Sequence, residues 1–272
     1  MNTDKFRYIL PNLFTLANIL AGLFSITQAM QAETGDQMMV AAWFIVIAMV
    51  CDLFDGRVAR MADAETEFGT QMDSLTDAMS FGVAPAILMY AWGLKSLGLL
   101  GVIFAFVFTA GAIMRLARFN VMSKDGGGPS KYFLGLPTPL AAGTVVSVVM
   151  AHSTVTGSAQ VSASWNVALM ATLLGGLMVS GIKYRTFKDL NLQGRTLWIV
   201  LTVAGVVAGI AVAAKPTIAF VACMVLYIIL GLVGGLVDLG RNLLGDDSSD
   251  AESVDAVRSE DSYLREAHDE ER

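Results

Sequence analysis

Four aspartates, Asp52, Asp55, Asp73 and Asp77, lie in or beside two strongly apolar runs of this 272-residue chain. An ionised side chain deep in hydrocarbon costs at least about 2.5 kcal/mol, so a carboxylate in such a run is a functional residue by default. Four together also repel one another, and cations are the natural way to neutralise them. Asp52 and Asp55 are spaced i, i+3 and Asp73 and Asp77 i, i+4, so each pair occupies one helical face. Carboxylate oxygens without Cys or His suit hard cations such as Mg²⁺ or Mn²⁺, and Mg²⁺ commonly completes its shell with water and substrate phosphates. Two such ions can clamp the attacking and leaving oxygens of an in-line displacement at phosphorus. The spacing thus points to a phosphorylated substrate.

The residues between the pairs agree. Gly56 and Ala59 share the stripe of Asp52 and Asp55 and are small enough to let a bulky ligand approach the backbone. Arg60, one turn beyond Gly56, offers a fork to phosphate. Gly69 sits where the intervening segment turns into the next apolar run. Each has a plainer reading: small residues pack membrane helices, and Arg57 and Arg60 would anchor a span at the membrane edge. Asp63, Glu65 and Glu67 read as a solvated loop.

The elements that must hold these side chains are membrane helices. The chain is 55% hydrophobic and 15% charged, with a mean hydropathy of +0.60. Its apolar residues fall into blocks near the ~20 residues a helix needs to cross the hydrocarbon core. Eight spans are expected: 11–31, 38–60, 70–92, 97–117, 138–152, 164–182, 196–214 and 217–238. The fifth is short and opens with Pro139. On this layout sixteen of the eighteen Lys and Arg fall on one face, with only Lys95 and Lys215 opposite, which places both termini and the loop at 61–69 in the cytoplasm. The expected fold is all-α, a polytopic membrane helix bundle. Spans two and three are antiparallel neighbours, and at ~1.5 Å per residue Asp52 and Asp77 both lie roughly 10 Å inside the cytoplasmic end.

The net charge of −6 belongs to the end of the chain, where residues 246–272 hold eleven acidic residues against three Arg. The expected organisation is an interfacial N-terminal segment over 1–10, a membrane domain over 11–240 and an acidic, solvated tail over 241–272. Cys51 and Cys223 imply neither a disulfide framework nor a metal spacing. His152 is expected at the non-cytoplasmic end of span five, away from the carboxylates, and His268 in the tail. The N-terminal run lacks a cleavage pattern and reads as a retained span.

Residues 52–77 read D-x-x-D-G-x-x-A-R, eight residues, then G-x-x-x-D-x-x-x-D. This resembles the motif of the CDP-alcohol phosphatidyltransferase family at every fixed position. The resemblance implies that Asp52, Asp55, Asp73 and Asp77 hold two divalent cations, Mg²⁺ or Mn²⁺, at the diphosphate of a CDP-linked lipid. It implies that Asp52, Gly56, Ala59, Arg60 and Gly69 line the CDP-lipid site, and that Asp77 is the catalytic base. The stretches "PNLFTLANILAG", "RLARFNVMSKDGGGPSKYFLGLPTPLAA" and "VSGIKYRTFKDL" are similar to the branch whose acceptor is L-serine. That implies CDP-diacylglycerol and L-serine as substrates, a cytoplasm-facing site in the plasma membrane, a homodimer and no nucleic-acid partner. A serine acceptor needs a cation for its carboxylate, and Arg115, Arg118, Asn120, Lys131, Arg185 and Lys188 lie on the right face, with Arg118 and Asn120 expected before the rest. The same basic residues at helix ends would also satisfy topology and bind anionic headgroups.

Other readings stay open at this point. Glycerol 3-phosphate or an inositol phosphate would also want basic side chains. A membrane prenyltransferase also grips a diphosphate through aspartates, and a divalent-cation transporter would line its path with them.

Overall fold

The computed structural model describes residues 3–61, 66–124, 132–162 and 164–185, together with a few isolated helical positions between 209 and 228. Helix α1 spans Thr3–Gln31 and α2 spans Gly35–Met61, and the two pack along each other as an antiparallel pair. The segment expected to lie at the interface before residue 11 is part of α1 itself. The third span begins as α3, Glu67–Asp77, continues through a wide π-helical stretch, Ala78–Val83, into α4, Ala84–Met89, and ends in a second wide stretch, Tyr90–Leu94, and one tight turn, Lys95–Leu97. Helices α5, Leu99–Lys124, α6, Thr138–Thr156, and α7, Ser164–Val179, complete the bundle. A short antiparallel pair, β1 Tyr132–Leu134 with β2 Lys183–Arg185, was not expected in an all-α chain.

Among the described residues, four helices are long and apolar enough to cross a membrane: Leu13–Gln31, Gly35–Val58, Leu99–Met122 and Thr138–Thr156, and α7 is a shorter apolar helix. The seventh and eighth expected spans, 196–214 and 217–238, lie outside the described residues apart from those isolated positions. The fifth span runs four residues past its expected end, to Thr156, because Gly157 at φ +66° stops it there and its N–H closes onto Ser153 O.

Sequence pattern explains which face each helix buries. On α2 the buried stripe runs Met38, Ala41, Ala42, Ile45 and Ala48 to Asp55, whereas Val40, Trp43, Ile47, Val50 and Leu53 face outward. The small residues of this stripe let α1 and α6 come close, and the same stripe delivers Asp52 and Asp55 to the interior. Of these four long helices α6 is the most buried, with Ala141, Ala142, Val145, Val146 and Val149 at zero exposure. The α5–α7 crossing rests on glycine against glycine: a Cβ at Gly111 would stand 2.6 Å from Gly175 O.

Irregularity in the third span has a local cause. Pro85 has no N–H to give the preceding turn, and Ala84 N–H reaches back five residues to Met79 O. Thr109 on α5 supplies a hydroxyl, at 3.4 Å, to Gly82 O within the wide stretch. A partner from a neighbouring helix is how loosened backbone is tolerated at membrane depth. At the far end of this span Trp92 Nε1 donates to His152 Nδ1 at 3.1 Å, which uses His152 in packing at a site remote from the aspartates.

Candidate active site

Three elements build the site. Helix α2 carries Asp52 and Asp55 near its C-terminal end, and α3 carries Asp73 and Asp77. Helix α3 starts where it does because Thr66 caps it, its Oγ1 accepting from Gly69 N at 3.0 Å. Gly69 therefore belongs to the capping turn, where a Cβ would come within 3.1 Å of Thr66 Oγ1.

The two pairs converge. One carboxylate oxygen from each of Asp52, Asp55 and Asp73 lies within 4.8 Å of the others. Asp77 stands outside that triad but within hydrogen-bonding reach of Asp52, and its charge interacts with Asp55, Asp73 and the Arg115 guanidinium. Asp55 is only 5% exposed. Its Oδ2 accepts from Thr15 Oγ1 of α1 at 3.1 Å, a bond that fixes the carboxylate's orientation. The Oδ1 atoms of Asp73 and Asp77 are buried and meet no hydrogen-bond partner among the described residues.

Such a set fits hard divalent cations. Three oxygens at this separation, all from carboxylates and with no sulfur or imidazole among them, match the donor preference of Mg²⁺ or Mn²⁺. The unpartnered Oδ1 atoms are acceptor capacity that a cation would fill.

The expected phosphate and acceptor residues fall in several places. Gly56 is half-buried beside Asp55, and Arg57 points outward. The side chains of Ala59 and Arg60 lie outside the described residues, as does Lys131; Arg185 is seen as backbone in β2, opposite Tyr132. Lys188 also lies outside them. Arg115 is 8% exposed, donates to Thr138 Oγ1 at 3.3 Å, and sits 5.6 Å over the Phe119 ring. Arg118 instead serves the backbone: Nη1 donates to Val179 O at 3.0 Å and Nη2 to Met178 O at 3.4 Å and Ser180 O at 3.1 Å. It thereby satisfies the carbonyls left over at the end of α7. Asn120 exchanges hydrogen bonds with Ser74, its Nδ2 donating to Ser74 Oγ at 2.8 Å, and ties α3 to α5.

Next to Arg118 the backbone of Gly135, at φ +79°, donates to Ile182 O at 2.8 Å and Leu136 N donates to Leu177 O at 3.0 Å. These bonds tie the segment that follows β1 to the one that precedes β2, beside the C-terminal end of α5.

Sequence reasoning missed what α1 contributes. Thr15 and Asn18 are polar residues three apart in "PNLFTLANILAG", both buried. Their helical spacing inside an apolar run was the available signal.

A family model for CDP-alcohol phosphatidyltransferases matches residues 8–237. The chain belongs to the CDP-alcohol phosphatidyltransferase family. Among curated relatives of this phosphatidyltransferase, a CDP-diacylglycerol–serine O-phosphatidyltransferase of Helicobacter pylori strain 26695 is 34% identical over 230 residues, 83% of this chain and 90% of the relative. One of the same name from Mycobacterium tuberculosis H37Rv is 31% identical over 209 residues, 76% of this chain and 71% of its own. Another from Bacillus subtilis 168 is 30% identical over 179 residues, 66% of this chain and 91% of its own.

Proposed function

We propose that this phosphatidyltransferase transfers the phosphatidyl group of CDP-diacylglycerol to the hydroxyl of L-serine, giving phosphatidylserine and CMP. The observation that carries the reaction is the convergence of carboxylates from two membrane helices at one cluster. Serine as acceptor rests on the names of the relatives and on the basic residues at the same end of the bundle.

On this reading Asp52, Asp55, Asp73 and Asp77 hold two divalent cations, Mg²⁺ or Mn²⁺, which when bound neutralise the diphosphate and the departing CMP. Gly56 and Ala59 leave room for the nucleotide, Arg60 meets a phosphate, and Gly69, through the capped turn of α3, shapes the floor below them. Asp77 takes the proton of the acceptor hydroxyl as that oxygen bonds to the lipid-bearing phosphorus and the bridging P–O bond to CMP breaks. Its place beside the triad rather than within it supports this division of labour, since a base must keep an oxygen for the alcohol.

Arg115 is the cation best placed for the serine carboxylate, being buried and within the field of Asp77. Lys131 and Arg185 complete the acceptor set, and Arg118 and Asn120 shape the pocket through the bonds they make to α7 and Ser74. Eight spans, cytoplasmic termini, a plasma-membrane site open to the cytoplasm, a homodimer and an acidic tail over 241–272 complete the proposal.

Purified protein with CDP-diacylglycerol, Mn²⁺ and a panel of alcohols tests it. Serine-dependent CMP release is expected; release with glycerol 3-phosphate or inositol phosphate and none with serine would overturn the acceptor. Asp77→Asn is expected to abolish turnover while keeping nucleotide binding, and normal turnover in that variant would refute the base.

A further inference from the structure

Asn18 of α1 is wholly buried, and neither its Oδ1 nor its Nδ2 meets a hydrogen-bond partner among the described residues. A buried amide with both ends empty is costly, and an apolar side chain in its place would avoid that cost. Such a group calls for a reason to be there.

Its surroundings supply one. Thr15, one turn nearer the cytoplasmic end, donates to Asp55 Oδ2. The backbone carbonyl of Asn18 accepts from Ser80 Oγ at 3.2 Å, and Ser80 lies one turn beyond Asp77. Gly22, a turn further along α1, presses on the same residue, since a Cβ there would stand 2.7 Å from Ser80 Oγ. Asn18 is thus in the seam between α1 and the third span, on the stripe that touches the aspartates. The Cα–Cβ bond of a helical residue tilts toward the helix N-terminus, which in α1 is the Asp55 end. The carboxamide therefore reaches back from the level of Ser80 toward that of Asp77, whose own Oδ1 is buried and unpartnered. Two unfilled polar groups thus face the same seam, and their hydrogen-bonding capacity is left over on the membrane side of the carboxylate cluster.

The chemistry of that seam differs from that of the cluster. An ammonium group arriving beside Asp77 needs an oxygen acceptor, and a carboxylate in that role would compete for the cations. A neutral amide oxygen does not. Resting on the serine-transfer reading, we propose that Asn18 is a specificity-determining residue for the acceptor: its Oδ1 accepts an N–H from the ammonium of an amino alcohol whose hydroxyl faces Asp77. Acceptors without an ammonium, such as a sugar phosphate, gain nothing from it.

The test uses the full chain in detergent with CDP-diacylglycerol and Mn²⁺, comparing wild type, Asn18→Leu and Asn18→Ala, the last adding no bulk. Both variants are expected to raise the KM for L-serine at least tenfold and to leave the KM for CDP-diacylglycerol within twofold. Where turnover is lost, binding of labelled serine to protein loaded with CDP and Mn²⁺ reads the same change. A serine KM within twofold of wild type, or an equal rise in both KM values, would overturn the assignment. Wild-type protein that releases no CMP with serine would refute the parent reading instead, a result visible before any variant is made.

Discussion

Replacing Thr15 by valine removes one hydroxyl and keeps the shape. The Thr15 hydroxyl gives Asp55 a hydrogen bond of 3.1 Å, with both residues 5% exposed. A hydrogen bond to a charged group contributes about 1.5–3 kcal/mol, and at ~1.4 kcal/mol per decade that is about 10- to 150-fold in an equilibrium constant. The bond orients a carboxylate in the triad, so the loss is expected in cation affinity, in line with the ~10–100-fold cost of removing groups that orient metal ligands. The assay is the Mn²⁺ dependence of CMP release by wild type and Thr15→Val. The concentration for half-maximal activity is expected to rise at least tenfold, with the rate at saturating Mn²⁺ much less affected. The reasoning is refuted if the half-maximal concentration moves by less than twofold while the variant remains folded by circular dichroism.

Three further outcomes are expected. Arg115→Lys keeps the charge but loses the planar fork; it should raise the KM for serine about tenfold with little change for CDP-diacylglycerol, measured by initial-rate kinetics. Gly111→Val should destabilise the bundle by ~1–3 kcal/mol through overpacking at the α5–α7 crossing, read as a lowered thermal midpoint in detergent. Gly176→Ala, whose Cβ would meet nothing within 4 Å, is its control and should not lower it. Arg118→Ala leaves the carbonyls of Met178, Val179 and Ser180 without their guanidinium, and amide exchange at Gly135 and Leu136 should speed up, measured by hydrogen–deuterium exchange.

The carboxylates were legible because intramembrane charge is rare and helical spacing is rigid: i, i+3 on α2 and i, i+4 on α3 already put each pair on one face, and the structure brings them together. The contribution of α1 was harder to see. Thr15 and Asn18 are uncharged, and a hydroxyl or amide in a membrane helix usually bonds within its own helix or to a neighbour, so nothing local separates a site residue from a packing one. The broken third span escaped notice for a related reason. Its hydropathy is continuous from 70 to 92, and the wide turns depend on how Pro85 and Thr109 share backbone partners across helices. The arginines at the helix ends look alike in sequence. Only three-dimensional proximity shows that Arg118 bonds to the end of α7 whereas Arg115 lies within the field of Asp77. The β1–β2 pairing joins segments about fifty residues apart, beyond any local pattern.

The central claim, that aspartates from two adjacent membrane helices hold a pair of hard cations at a lipid-linked diphosphate, is tested most directly by electron paramagnetic resonance of purified protein titrated with Mn²⁺ in the presence of CDP. Two Mn²⁺ per chain with a spin-coupled signal are expected, lost when Asp52 and Asp73 are both changed to Asn. A single uncoupled ion, or binding that survives the double substitution, would contradict the account.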